Sequence, residues 1–347
     1  MRCNSDKLTL FMESKVREII SKTIEKISVL SPGKIEDVCL IRSRKGKFIW
    51  HIALSGGKKI FVKAVKPCSK NLSEIKLYGK NPEYLRSFLP TVYGVIKKYG
   101  YCWILLEELK QLPSANISFE DFKKPIEFMA FLHAKFYSNS SVINNKEIDW
   151  APCFKRQWQN KMNSIRFIML FAKYMWYFET RPILQKDAVF LKTVIKNSKE
   201  TFSSLLDAPH SLIHGCFEYH HLYTIQQDSI ELKELRLIDW ENVSFAPITL
   251  DLVYLIEKSI DCGINDTMTL SKFRNECLNY YCSVMKNYSI DIEETKFRNL
   301  YNLTFAFKII THFIFEELKK IKKGNSSNYN FYRNQLFVLD ESLNLIR

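Results

Sequence analysis

Glycine and proline are scarce, ten of each in 347 residues, and no stretch repeats at a fixed period, which excludes low-complexity, collagen-like and repeat architectures. No apolar run approaches the ~20 residues needed to span a bilayer. The longest, Phe167 to Phe178, carries Lys173 and reads as a buried helix, so no membrane association is expected. Nine cysteines are scattered from Cys3 to Cys282 without a C-x-x-C pair or the density of a disulfide scaffold. The segment Met1-Arg2-Cys3-Asn4-Ser5-Asp6-Lys7 lacks an apolar core with a small-residue cleavage site, so nothing there directs export and a reducing cytoplasm is the expected setting.

The chain has ample material for packing, at 46% apolar and 14% aromatic residues. That suffices for two or three packed units. Its formal charge of +14 is unevenly placed: residues 36–110 hold 15 Lys or Arg against 6 Asp or Glu. Such a segment faces anions, and nucleotide phosphate, another small-molecule ligand or an acidic protein partner all fit, beside the plainer reading of a solvated lysine surface. Nucleic acid is not expected, because no nucleic-acid motif accompanies the charge.

Val16, Ile19, Ile20, Ile24 and Ile27 recur at helical spacing and predict a helix over about 7–28, closed by Ser31-Pro32-Gly33. Short β-branched and aromatic runs follow: Val38 to Ile41, Phe48 to Leu54, Lys59 to Val65, Thr91 to Lys97 and Tyr101 to Leu106. Gly-containing turns at Lys45-Gly46, Gly56-Gly57 and Tyr99-Gly100 separate them as hairpins require, and one helix, Ser73 to Lys80, interrupts them. After Pro113 the pattern turns helical. Ser118 with Asp121 predicts a cap, and Ile126, Met129, Leu132 and Phe136 an apolar stripe. Further helices are expected over 154–178, 186–206, 249–261, 270–286, 293–323 and 328–345, with two short strands, Leu222 to Ile225 and Leu235 to Asp239. The reading is an α+β chain: an N-terminal helical extension (1–35), a small antiparallel-sheet lobe (36–110) and a large helical lobe (111–347), with a cleft between the lobes.

Two segments carry the chemistry: Leu212-Ile213-His214-Gly215-Cys216-Phe217-Glu218-Tyr219-His220-His221-Leu222, and Leu237-Ile238-Asp239-Trp240-Glu241 followed by Pro247 and Asp251-Leu252. In order and spacing they resemble the aminoglycoside phosphotransferase and choline kinase family, which reads L-I-H-G-D-x-x-x-x-N, then I-D-[WF]-[ED], then P-x-x-D-L. Weaker echoes are Phe61-Val62-Lys63, Glu74, Glu107-Glu108-Leu109 and Leu132-His133-Ala134. The resemblance implies a bilobal protein-kinase-like fold. It makes Lys63 the phosphate-binding lysine, Glu74 its ion-pair partner, and Glu107 and Leu109 part of the nucleotide-binding junction. It also makes Asp239 a metal ligand, with Glu241 close enough to share its face if the chain stays extended, and Asp251 and His214 braces of the catalytic loop. Plainer roles are a surface strand lysine for Lys63 and a helix N-terminal aspartate for Asp251.

Two departures fall inside the loop. Cys216 stands where the family has its catalytic aspartate, and His221 where it has the metal-binding asparagine. A thiol does not hold a hydroxyl proton as a carboxylate does at neutral pH, and Mg²⁺ prefers oxygen ligands in tight octahedral geometry. Glu218 is a candidate surrogate carboxylate. A zinc site built from His214, Cys216, His220 and His221 lacks regular spacing, and a Cys216–His214 nucleophile pair lacks a third orienting group. Three functions are compatible with these residues. The first is a catalytically degenerate, pseudokinase-like binding or scaffold component that retains ATP or another nucleotide, with a weak case for Mg²⁺. The second is an active ATP-dependent phosphotransferase acting on a small-molecule hydroxyl through an atypical loop. The third is a site re-used for a non-nucleotide ligand or a metal.

Overall fold

A computed structural model of the chain describes residues 2–24, 33–44, 46–68, 71–112, 118–139, 143, 145–155, 198–225, 231–260 and 267–313. Outside them lie the helix expected over 328–345, residues 156–178 of that expected over 154–178, 186–197 of that expected over 186–206 and 314–323 of that expected over 293–323, with the apolar run Phe167 to Phe178 and the turn at 226–229. The described residues form two compact units, one from 1–114 with 220–242 and the other from 115–219 with 243–347. The segment 220–242, which the sequence reading joins to the helical lobe, therefore packs with the sheet-rich residues. Its strands β8 (Leu222–Thr224) and β9 (Leu235–Leu237) form a sheet with β6 (Lys110–Gln111) in the order β6-β8-β9.

The first unit opens with α1 (Arg2–Ile24), which starts earlier than its apolar spacing suggests; the last expected residues of this helix, 25–28, lie outside the described ones. A five-stranded antiparallel sheet follows: β1 (Ile35–Arg44), β2 (Lys47–Leu54), β3 (Lys59–Val65), β4 (Val92–Lys98) and β5 (Tyr101–Glu107), ordered β1-β2-β3-β5-β4. Period-two alternation buries Phe48, Trp50, Ile52 and Leu54 of β2 with Ile60, Val62 and Ala64 of β3, in one core with Met12, Val16, Ile19 and Ile20 of α1. Trp50 stacks on Phe48 and on Trp103, with ring centroids 5.5 and 5.7 Å apart. Residues directly opposite in a ladder share a face. The pairs Lys47–Val65, Ile49–Lys63 and His51–Phe61 therefore fall on the face away from this core. The last hairpin turns through Tyr99 (φ 56°) and Gly100 (φ 74°), the left-handed pair that a two-residue turn needs.

Helix α2 (Leu72–Lys80) lies between β3 and β4 in the chain and buries Glu74, Ile75, Leu77 and Tyr78. It ends on Asn81 in the left-handed region, whose N–H donates to the Leu77 carbonyl.

In the second unit, α3 (Phe119–Lys135) starts in a capping box formed by Ser118 and Asp121, and its stripe of Ile126, Met129 and Leu132, with Phe136, is buried. Strands β7 (His210–Ile213) and β10 (Ser244–Pro247) pair antiparallel, a small sheet absent from the sequence reading because both are buried throughout and show no polar–apolar alternation. Helices α4 (Thr249–Ile260), α5 (Thr267–Asn287) and α6 (Glu294–Lys308) follow, and α6 runs on as a π-helical turn over Ile309–Phe313. No described helix is long and apolar enough to cross a membrane.

Candidate functional site

The first charged centre lies within the sheet-containing unit. Lys63 projects from β3 on the face opposite the aromatic core, and α2 presents Glu74 to it. The Lys63 ammonium donates to both carboxylate oxygens of Glu74, at 2.7 and 2.9 Å, and to Asp239 Oδ1 at 2.8 Å; Glu241 Oε1 lies 3.8 Å away. Lys47 of β2, on the same sheet face as Lys63, donates to Glu241. His221 Nε2 lies 3.8 Å from Asp239 Oδ2. Glu74 is fully buried, whereas the Asp239 side chain is 39% exposed, so the cluster opens to solvent on the Asp239 side.

Burial disfavours the Lys63 ammonium, but the carboxylates of Glu74 and Asp239 outweigh it and raise its pKa. Burial also pulls the Asp239 carboxyl upward, yet the Lys63 charge and hydrogen bond hold it well below the usual carboxylate range. Both groups are therefore ionised at neutral pH.

The chain does not stay extended through Asp239. Strand β9 ends at Leu237, Asp239 adopts a left-handed conformation (φ 66°), and Trp240–Asn242 form a 3-10 turn. This turn, rather than strand alternation, returns Glu241 to the same cluster. A left-handed non-glycine residue is a local strain that persists only when its surroundings hold it, and aspartate tolerates it better than most.

Ligand atoms of Glu74, Asp239 and Glu241 all lie within 4.8 Å of one another, a spacing that admits a cation. The cation they share is the Lys63 ammonium, which engages both oxygens of Glu74 and one of Asp239. His221, at the expected amide position, offers a nitrogen where Mg²⁺ prefers oxygen. The three carboxylates themselves supply the oxygen donors that a hard cation takes, so the donor set admits either the ammonium or a metal ion.

The second centre belongs to the helical unit. Asp251, in the first turn of α4, is fully buried and accepts from the His214 N–H at 2.8 Å and the Gly215 N–H at 2.7 Å. Gly215 (φ 79°) occupies the left-handed region, which makes glycine the natural residue at this turn. His133 of α3 completes the brace, with Nε2 3.3 Å from Asp251 Oδ2 and Nδ1 2.8 Å from the Tyr281 hydroxyl. Asp251 is thus both a helix-start aspartate and an acceptor for the loop. Tyr281 carries no sequence signal that would join it to the loop: it is one buried aromatic on a long helix.

Further along the loop, the Cys216 thiol donates to Glu218 Oε1 at 3.0 Å, and both residues are half-buried. Of the two residues expected at the nucleotide-binding junction, Glu107 accepts through a carboxylate oxygen from the Thr91 N–H at 2.7 Å, and Leu109 is buried. The described cysteines, Cys216 included, are free thiols.

No family model and no curated protein matches the sequence. Solved structures do match over nearly the whole chain. The GDP and kanamycin complex of APH(2")-IIia is 15% identical with a TM-score of 0.55, covering 93% of this chain and 97% of that one. Amicoumacin kinase hAmiN, in complex with AMP-PNP, Ca²⁺ and Ami, is 10% identical with a TM-score of 0.55, covering 95% and 96%. An ethanolamine kinase of Plasmodium vivax is 14% identical with a TM-score of 0.52, covering 91% and 83%. The chain has the α+β, protein-kinase-like fold of the aminoglycoside phosphotransferases and ethanolamine kinases.

Proposed function

We propose that this protein binds the phosphates of a nucleotide through Lys63 and acts as a binding or scaffold component whose capacity for phosphoryl transfer is degenerate. The observation that carries this reading is the Lys63 ammonium held by buried Glu74 and half-exposed Asp239, in a chain with a thiol at position 216. Phosphoryl transfer rests on positioning and charge neutralisation, with a carboxylate to orient the acceptor hydroxyl. Glu74 fixes the aim of the ammonium. Phosphate oxygens entering on the exposed side compete with Asp239 for its remaining hydrogen-bonding capacity. Lys47 offers a second positive charge beside it. GDP and AMP-PNP in two neighbours of the same fold support a nucleotide as the ligand.

Calorimetric titration with ATP, with and without Mg²⁺ or Mn²⁺, tests this reading. Weak binding with little metal dependence is expected. Tight binding that requires Mg²⁺ overturns the degenerate site, and no heat with any nucleotide shifts the assignment to a non-nucleotide ligand.

One contact favours a second reading, an active small-molecule phosphotransferase. Glu218 holds a carboxylate 3.0 Å from the Cys216 sulfur, within one side chain of the missing aspartate. ATP turnover by the wild type that disappears in Glu218→Gln, while nucleotide affinity is retained, selects this reading.

A further inference from the structure

A groove of about 440 Å³ lies between α2 and β4 in the same unit as the Lys63 centre, with neither Lys63 nor its carboxylate partners among its lining residues. Its walls carry Lys76, Lys80 and Lys97 with the apolar side chains of Ile75, Val92 and Val95, and none of its lining residues is acidic. The three lysines are exposed, and none is paired with a carboxylate among the described residues.

Gly79 of α2 and Gly94 of β4 also line the groove, and a Cβ built on either meets nothing within 4 Å. Glycine is unfavourable within a helix or a strand, and in a strand it often marks close approach of another backbone. Gly79, one helical turn from Ile75, therefore leaves open space on the groove side of α2, whereas Gly94, opposite Leu105 on the core face of the sheet, lines the groove through its backbone.

Strand β4 is the outer strand of its sheet and pairs only with β5 among the described strands. The Tyr99–Gly100 turn closes on Lys98 and Tyr101, so the hydrogen-bonded pair recurs at Ile96–Trp103 and alternates with Lys97–Cys102. Lys97 and Val95 consequently turn their backbone N–H and C=O groups away from β5, along the free edge. A free edge is a template for another strand, and its side-chain surroundings decide which.

We propose that this edge is a docking site for an extended acidic segment of a partner protein. The segment adds to β4 as a further strand, its carboxylates facing Lys76, Lys80 and Lys97 and its apolar residues meeting Ile75 and Val95. Charge selects this occupant over a second copy of the chain, because two basic edges of a protein with formal charge +14 repel each other. The inference is independent of whether nucleotide binds.

The test uses the full chain and a fluorescein-labelled peptide, Glu-Ser-Val-Ser-Glu-Ser-Val-Ser-Glu-Ser, whose glutamates and valines share one face of an extended strand, read by anisotropy and by amide hydrogen exchange. Saturable binding with a dissociation constant on the order of 10–100 μM is expected, together with slowed exchange at Val95 and Lys97. The combined change Lys76→Glu, Lys80→Glu and Lys97→Glu should weaken binding by at least about tenfold. Gly79→Leu, which fills the groove beside Ile75 without altering charge, should do the same, and intact far-UV circular dichroism and an unchanged melting temperature check that each variant folds. Absence of peptide binding overturns the proposal. So does binding that Gly79→Leu leaves unchanged, protection that falls elsewhere, or equal competition by a single-stranded oligonucleotide of matched charge, which reveals attraction by charge alone.

Discussion

The two charged centres solve the burial of a carboxylate in opposite ways. Asp251 is sealed, and its oxygens accept from two backbone N–H groups with a histidine 3.3 Å away, an arrangement built to hold a loop in shape. Glu74 is equally buried, but its partner is the ammonium of Lys63, which reaches on to a partly exposed aspartate. The first arrangement has no ligand capacity left over. The second keeps a cation, a strained backbone residue and an opening to solvent in one place, and that combination distinguishes a candidate binding centre from a structural one.

Asp251→Ala should show the largest effect. It strips the acceptor from two buried N–H groups and should cost roughly 3–5 kcal/mol, because hydrogen bonds to a charged group are strong and orphaned buried donors are expensive. Urea denaturation gives the value, and Asp251→Asn should lose about half as much. A loss below about 1 kcal/mol would erase the distinction between a sealed brace and an open site.

Lys63→Met breaks the comparison from the other side. The family resemblance pairs Lys63 with Glu74 but leaves open how deeply either is buried. The structure makes Lys63 the counter-ion of a fully buried carboxylate, so the single change should destabilise by about 3 kcal/mol. Lys63→Met combined with Glu74→Leu removes both charges and should recover most of that loss while nucleotide affinity stays absent. Recovery of stability without recovery of binding separates the two roles of Lys63.

The centres should also part company in acid. Beside the loop, on β7, His210 is buried against Phe154 and Phe245, and burial lowers its pKa from 6.5 to about 4 despite a hydrogen bond to the Ala208 carbonyl. Between those values the unfolded chain binds the proton that the folded chain refuses, so stability falls as pH falls. From pH 7 to 5 the loss should approach about 2 kcal/mol, and His210→Gln should flatten it in chemical denaturation. The Lys63–Asp239 pair behaves differently. The depressed pKa of Asp239 keeps its contribution whole above the ordinary carboxylate value, and it is lost only as pH falls through the lower folded value. A midpoint for acid-induced change in the sheet-containing unit above that of the helical unit would contradict this order.

The smallest expected effect is the most informative about chemistry. Cys216→Asp with His221→Asn restores a carboxylate and an amide oxygen at the two altered loop positions, and neither replacement is bulkier than His221. A gain of about tenfold in Mg²⁺-dependent ATP affinity, near 1.4 kcal/mol, is expected by calorimetry. A wild type that already turns over ATP and a double variant that does not would make Cys216 or His221 a working catalytic residue.

The amino-acid sequence by itself determined the elements and their faces. Alternation along Phe48 to Leu54 and Lys59 to Val65 places Lys63 opposite the aromatic core, and Ser118 with Asp121 starts α3, because strand pleat and helix capping are settled by residues two to four positions apart. Only the tertiary structure decided what each charged group faces. Lys63 meets Glu74 across 11 residues and Asp239 across 176, and Asp251 meets the loop across 36 and 37. The left-handed turn at Asp239 carries Glu241 into the cluster against the expected strand geometry, and α2 and β4 bring Lys76, Lys80 and Lys97 to one groove. The energy of a buried charge depends on the partners and the solvent it can reach, and packing between distant segments sets both.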